Sequence, residues 1–196
     1  MRKLTMMQHI SLDGVIQIAD RMGGSDFPYG DWTAPYRSPA GLARVTAMYG
    51  ERFDLLLGRR TYDLWSTYWP QAPSSPMGDR LNAATKYVVT HRPEDLSWGP
   101  AEGVGPDLVE GVRRLKESGG VDLILAGSST FTSALLEGGL VDELVLLVSP
   151  VLLGTGKRLF AEGTPPRSFV LQSAEALPTG VVINILRYGG TLLNLR

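Results

Sequence analysis

The sequence predicts an α/β fold built on a mixed, mostly parallel sheet with an antiparallel hairpin at its C-terminal edge. Two observations lead to this prediction. In the first two thirds of the 196 residues, short apolar β-prone runs alternate with helical periodicities, which favours parallel strands joined by right-handed crossovers. In the last third, β-prone segments follow one another with a Pro-Thr-Gly turn between the final two, which is typical of a hairpin.

The individual elements follow from the same patterns. Runs of apolar and β-branched residues predict strands at residues 4–10, 53–57, 87–90, 121–126, 143–148, 169–171 and 181–186. Apolar residues at helical spacing predict helices at residues 40–49, from about 61, at 108–115 and at 130–137. Residues 19–39 are rich in glycine and proline and predict a long surface loop. We expect a single domain over residues 1–190 and a loose tail over 191–196.

Composition excludes several classes of function. The chain has no cysteine and two distant histidines, so we expect no disulfide, no thiolate site and no bound metal. Its 19 basic and 20 acidic residues leave no broad basic field for a nucleic acid. The N-terminus lacks a signal-peptide pattern, and the longest apolar runs are far too short to span a membrane. We therefore expect a cytoplasmic protein without nucleic-acid or membrane partners.

Three junctions between a strand and the following loop could form a shared binding site. They are LGRRT at residues 57–61, VTHR at 89–92 and LAGSS at 125–129. Ligands of open α/β sheets bind at the carboxyl ends of strands, and a helix N-terminus there suits a phosphate group. Arginine adds a fork that binds phosphate, such as the 2′-phosphate of NADPH. Ordinary helix caps and solvated surface arginines remain alternatives.

The order of these motifs resembles the dihydrofolate-reductase-like superfamily, in particular the group related to the C-terminal reductase domain of bacterial bifunctional riboflavin-biosynthesis deaminase-reductases. Four passages carry the resemblance: SLDG at residues 11–14, LGRRTY at 57–62, LAGSS at 125–129, and GLVDEL running into SPVLLG between 139 and 154. The resemblance covers residues 3–188. It implies a three-layer fold with helices on both faces of the central sheet, and a homodimer.

The resemblance also implies a cofactor and a set of site residues. NADPH would be the cofactor, with its phosphates near Gly58, Arg59 and Thr61. Thr90 and Arg92 would lie on the 2′-phosphate side. The pyrophosphate would meet the loop and helix start formed by Gly127, Ser128, Ser129 and Thr130. Asp13 would border the substrate pocket. It is also the first candidate for the catalytic acid, and Asp26, Asp31 and an ordered water are the alternatives. The remaining residues expected to bind substrate are Ser11, Trp32 and Tyr62.

The substrate is less well determined than the cofactor. The helix predicted at residues 40–49 contains no carboxylate, whereas dihydrofolate reductases use one to hold the pterin. Val15 follows the Asp-Gly turn, where riboflavin-pathway reductases usually have a basic residue. The leading expectation is a reductase of a small heterocycle, most similar to 5-amino-6-(5-phosphoribosylamino)uracil reductase. A dihydrofolate, pteridine or xenobiotic reductase and a non-catalytic nucleotide-binding protein remain alternatives.

Overall fold

The structure is a computed structural model that describes residues 1–18, 27–105, 107–127, 129–160 and 162–192. Its strands are β1 (Leu4–Ser11), β2 (Asp54–Gly58), β3 (Lys86–Val89), β4 (Ala101–Val104), β5 (Leu123–Ala126), β6 (Glu143–Ser149), β7 (Arg167–Ala176) and β8 (Val182–Thr191). Its α-helices are α1 (Pro39–Tyr49), α2 (Arg59–Tyr68), α3 (Pro76–Ala83), α4 (Leu108–Glu117) and α5 (Ser129–Glu137). The eight strands form a mixed sheet with antiparallel C-terminal strands, which confirms the predicted fold class.

The chain divides into two compact units. Unit 1 comprises Met1–Leu4 and Arg37–Ser128, and unit 2 comprises Thr5–Tyr36 and Ser129–Arg196. In unit 1 the strand order is β4-β3-β2-β5, and all three pairings are parallel. Leu55, Leu56 and Leu57 are fully buried, as expected for a central parallel strand covered on both faces.

Side chains cap the N-termini of three helices in unit 1. Ser38 accepts a hydrogen bond from the Gly41 N–H at the start of α1, and Ser75 accepts one from the Gly78 N–H at the start of α3. Asp107 caps α4 in the same way. Each cap satisfies one of the backbone donors that a helix leaves unpaired in its first turn.

Unit 1 also buries Lys86, whose exposed fraction is 0%. Its Nζ donates to the carbonyl oxygens of Asn82, at 2.7 Å, and Gly99, at 3.3 Å. The ammonium lies 4.2 Å from the centroid of the Trp98 ring. Burial lowers the pKa of Lys86 to about 8, because the charged form loses hydration that these contacts only partly replace.

In unit 2 the strand order is β1-β6-β8-β7. β1 pairs with β6 in parallel, from Thr5 opposite Glu143 to Ser11 opposite Ser149. β8 is antiparallel to both β6 and β7. The turn between β7 and β8 contains Gly180 with φ +86°, where glycine avoids the strain that a side chain would suffer.

Most predicted elements are present, and the differences have local causes. The sequence analysis missed β4, since Ala101, Glu102 and Gly103 are not buried and give no apolar run. β7 and β8 extend well beyond the predicted segments, and β8 includes Thr191, the first residue of the expected tail. The prediction of a single domain over 1–190 stays a prediction. No helix within the described ranges combines the length and apolar character needed to cross a bilayer.

Candidate functional site

Three neighbouring strands of unit 1 end at the same edge of the sheet. β2 lies between β3 and β5, and all three run parallel. Gly58 at the end of β2 is opposite Val89 at the end of β3, while Leu56 is opposite Leu125 of β5. The junctions singled out in the sequence therefore meet in space, as their positions after parallel strands predict.

The first junction presents an open helix N-terminus. Gly58 is the N-cap of the ten-residue helix α2, and no side chain caps the helix there. The first backbone N–H groups of a helix point outward, and the helix dipole favours negative charge beside them. This end of α2 could hold a phosphate group.

The second feature is a close approach between Gly127 and Thr61. Gly127 has φ +76°, and a Cβ placed on it would lie 2.9 Å from Thr61 Oγ1. Only glycine permits both this backbone conformation and this contact without strain. The loop after β5 is thereby held against the first turn of α2.

Arg59 connects the first junction to the second strand end. Its Nη1 donates to the Arg92 carbonyl oxygen at 3.0 Å and lies 3.5 Å from Thr90 Oγ1. The Arg59 Nε donates to Asp63 Oδ1 at 2.7 Å, one turn along α2. The Thr90 hydroxyl oxygen accepts the Arg92 N–H at 3.0 Å. Two donor groups of the Arg59 guanidinium, Nε and Nη1, are thus used in hydrogen bonds within the protein.

Arg92 differs from Arg59 in its surroundings. Its side chain is exposed, and within the described part of the chain no carboxylate forms an ion pair with it. A free guanidinium beside the ends of three strands is well suited to a phosphate group. The structure therefore favours Arg92 over Arg59 as the arginine that could bind an anion directly.

The remaining residues of the predicted cofactor site are described only in part. Ser129 and Thr130 are the first two residues of α5, as expected for a helix that starts directly after the β5 loop. Ser128 lies outside the described residues. The roles predicted for these three residues stay predictions.

Asp13 lies in unit 2, in the turn after β1. Its carboxylate accepts hydrogen bonds from Ser11 Oγ at 2.6 Å, the Leu153 N–H at 3.2 Å and the Gly154 N–H at 2.8 Å. These bonds, above all the one from Ser11, lower the pKa of Asp13 to about 2. Asp13 is therefore ionised at neutral pH and has no proton to give, which counts against the predicted role as the catalytic acid.

The turn containing Asp13 is joined to a distant part of the chain, a relationship that the sequence analysis missed. Arg158 Nε donates to the Asp13 carbonyl oxygen at 3.0 Å, and Arg158 Nη2 lies 3.9 Å from Asp13 Oδ2. Arg158 is half exposed, so its guanidinium faces solvent beside the carboxylate. In the sequence, the only feature that pointed to Arg158 was the pair of basic residues, Lys157 and Arg158, that follows Gly156.

The other three residues expected to bind substrate are in the protein interior. Ser11 is 2% exposed and holds the Asp13 turn, because its Oγ also accepts the Val15 N–H at 2.8 Å. Trp32 packs in a buried cluster with Val15, Phe27 and Leu153, and its Nε1 donates to the Gln17 carbonyl oxygen at 2.7 Å.

The position of Tyr62 counts against its predicted role in binding substrate. It is 1% exposed, and its hydroxyl oxygen accepts the Trp98 N–H at 2.6 Å. Its ring packs against Trp98, with 5.9 Å between the ring centroids. Tyr62 belongs to the core of unit 1, because it lies on the inner face of α2 while Arg59 and Thr61 lie at the helix start.

Comparisons with known proteins place these observations in a family. The family described as the RibD C-terminal domain matches residues 2–183. The uncharacterized protein YyaP of Bacillus subtilis is 28% identical over 140 residues, which cover 69% of this chain and 74% of YyaP. The uncharacterized protein YwjB of the same organism is 26% identical over 186 residues, covering 95% of this chain and 98% of YwjB.

Solved structures agree with the predicted fold. A candidate riboflavin biosynthesis protein from Shewanella sp. PV-4 superposes with a TM-score of 0.70 at 22% identity, covering 95% of this chain and 98% of that one. A deaminase and 5-amino-6-(5-phosphoribosylamino)uracil reductase from Thermotoga maritima gives a TM-score of 0.64 at 16% identity, covering 95% of this chain and 56% of that one. The resemblance predicted from the four sequence passages is confirmed.

Proposed function

The chain belongs to the RibD C-terminal domain family, and from this premise we propose that it is an NADPH-dependent reductase of a small heterocyclic substrate. The observation that carries the proposal is the meeting of three strand ends in unit 1. Along this edge of the sheet lie the uncapped N-terminus of α2, Gly127 in contact with Thr61, and the exposed Arg92. This combination suits the phosphates of a dinucleotide.

Each residue of this edge has a distinct task. The N–H groups that follow Gly58 bind a phosphate, with the Thr61 hydroxyl beside them. Gly127 lets the loop after β5 lie against Thr61 at this edge, where any side chain would collide with the Thr61 hydroxyl. Arg92 pairs with the 2′-phosphate, and Arg59 positions Arg92 by holding its carbonyl oxygen. Arg92 therefore selects NADPH over NADH.

NADPH supplies the hydride when bound, so the protein has to align the cofactor and the substrate and to exclude water. Asp13 serves this purpose as a carboxylate: it fixes the turn after β1 to the backbone at Leu153 and Gly154. Because the low pKa of Asp13 leaves it ionised, the proton that completes reduction comes from another donor, and water is the simplest one.

Arg158 bears on the class of substrate. It places a half-exposed positive charge beside the Asp13 turn, where the family resemblance puts the substrate pocket. A cation at this place suits a substrate with a phosphate group, as in the phosphoribosylaminouracil named for the Thermotoga protein. In contrast, α1 contains no carboxylate that could hold a pterin. We therefore favour a phosphorylated aminopyrimidine over dihydrofolate.

Titration with NADPH and NADH tests the cofactor part of the proposal, with nicotinamide fluorescence as the measurement. We expect the wild-type protein to bind NADPH more tightly than NADH. In Arg92→Gln the affinity for NADPH should fall roughly tenfold, whereas the affinity for NADH should change little. Arg52→Gln is the matched control, because Arg52 is exposed near the opposite end of β2. Equal affinities of the wild type for both nucleotides would refute the proposed role of Arg92.

Turnover assays test the proposed class of substrate. NADPH oxidation is followed with the phosphoribosylaminouracil, dihydrofolate and a set of small carbonyl compounds. We expect turnover with the first, and a rise in its KM for Arg158→Gln. Binding of NADPH without turnover of any compound would instead support the non-catalytic alternative.

A further inference from the structure

Unit 2 contains a cavity of about 500 Å³ that takes no part in the proposed reaction. It is formed by the end of α5, by β6, β7 and β8, and by the loop before β7. None of its lining residues belongs to the Asp13 turn. Its apolar walls are the side chains of Leu136, Leu144, Leu146, Phe160, Phe169 and Leu186. Its volume falls within the range of sites that bind small molecules.

The cavity contains a single charged side chain, Arg167, among its described lining residues. The Arg167 Nε is buried and has no hydrogen-bond partner within the described part of the chain. The Arg167 Nη1 donates to the Pro166 carbonyl oxygen at 2.9 Å. An arginine stays charged at every physiological pH, so a buried N–H without an acceptor is costly. An acceptor in the cavity would remove that cost.

Two contacts within unit 2 support the walls of the cavity. Thr164 Oγ1 lies 2.7 Å from Ser133 Oγ, which ties the loop before β7 to helix α5. Phe169 packs edge-on against Tyr188 of β8, with 5.8 Å between the ring centroids. Phe160, which is 38% exposed, lies at the solvent side. A preformed site loses less entropy on binding than one that must be ordered.

We propose that this cavity binds a small organic acid, with its carboxylate on Arg167 and an aromatic or branched aliphatic body against the leucines and phenylalanines. A carboxylate can accept two parallel hydrogen bonds from one edge of a guanidinium, and on Arg167 the Nε is without a hydrogen-bond partner among the described residues. The described lining residues include no acidic side chain that would repel such a ligand. The proposal is independent of the cofactor site in unit 1.

Calorimetric titration of the full chain with 2-naphthoate and 2-naphthamide tests the proposal. The two probes share one aromatic body and differ in charge. We expect 2-naphthoate to bind at sub-millimolar concentration and 2-naphthamide to bind roughly tenfold more weakly or worse. Equal binding of both probes, or no binding of 2-naphthoate, would overturn the proposal.

Two variants locate the site. Arg167→Gln should remove the preference for the acid, whereas Arg187→Gln, the same change at an exposed position on neighbouring β8, should preserve it. Leu146→Trp should fill the cavity and abolish binding of both probes. If Arg167→Gln does not fold by circular dichroism, Arg167→Lys replaces it, and a weaker preference is expected because lysine lacks the fork. Unchanged binding in Leu146→Trp, or loss of the preference in Arg187→Gln, would place the ligand elsewhere and contradict the proposal.

Discussion

Gly127 and Thr61 are in contact across the ends of β5 and α2, with no room between them for a methyl group. Gly127→Ala should therefore be destabilising for two reasons, the positive φ of +76° and the collision with Thr61 Oγ1. We expect a loss of roughly 2–4 kcal/mol in the free energy of unfolding, measured by urea titration.

A matched control separates these two reasons. Gly119 has a similar φ of +79°, also lies in unit 1, and has no atom within 4 Å of the position where a Cβ would be. Gly119→Ala should cost only about 1 kcal/mol, the strain of the backbone alone. Adding Thr61→Ala to Gly127→Ala should recover part of the lost stability. A double variant no more stable than Gly127→Ala alone would show that the collision with Thr61 is not responsible for the loss.

Tyr62→Phe should lower stability while leaving NADPH binding unchanged. The substitution removes the acceptor of the buried Trp98 N–H, and an unpaired buried N–H costs roughly 1–3 kcal/mol. The measurement is the urea midpoint together with the NADPH titration. Tyr68→Phe on the exposed side of the same helix is the control, with little expected change. A stable Tyr62→Phe protein with altered turnover would restore Tyr62 to the substrate site.

The acid stability of the protein should depend on Asp13. Its folded pKa of about 2 is below the ordinary value of 3.8, so the carboxylate stabilises the fold above pH 4. That contribution is lost as the pH falls from about 4 to 2, because the folded protein then binds the proton. We expect the urea midpoints of wild type and Asp13→Asn to differ at pH 7 and to converge in this window. Parallel curves down to pH 2 would show that Asp13 is not ionised in the way described.

Lys86 should also make stability rise with pH, but in the alkaline range and because the buried ammonium loses its charge. Its folded pKa of about 8 is below the ordinary value of 10.5, so the unfolded chain binds the proton more tightly. Stability should rise by roughly a few kcal/mol as the pH increases from 8 to 10.5, because folding no longer has to bury a charge. Lys86→Met should lack this rise, whereas Lys157→Met at an exposed position should keep it. A Lys86→Met variant with the same pH dependence as wild type would contradict this account.

The sequence predicts the parallel strands and the glycine junctions well, because both depend on local patterns. The burial of single aromatic residues is not local. Tyr62 and Trp32 look equally suitable for a substrate pocket and for a core, and only the packing against Trp98 and Val15 decides between them. The sequence also does not reveal that the Asp13 carboxylate is held by hydrogen bonds, since two of its three donors are the backbone N–H groups of the distant Leu153 and Gly154.

The pairing of β1 with β6 also has a consequence for how the protein is made. β1 leaves the ribosome early, but its parallel partner follows 138 residues later, from Thr5 to Glu143, and the Gly154 N–H that binds Asp13 comes 141 residues after it. Residues 37–128 of unit 1 form one continuous stretch. During synthesis, unit 1 can therefore complete most of its sheet before β6, the partner of β1 in unit 2, has been made. Contacts of such long range slow folding, and a chaperone that shields the β6-facing side of β1 in this interval should raise the yield of native protein.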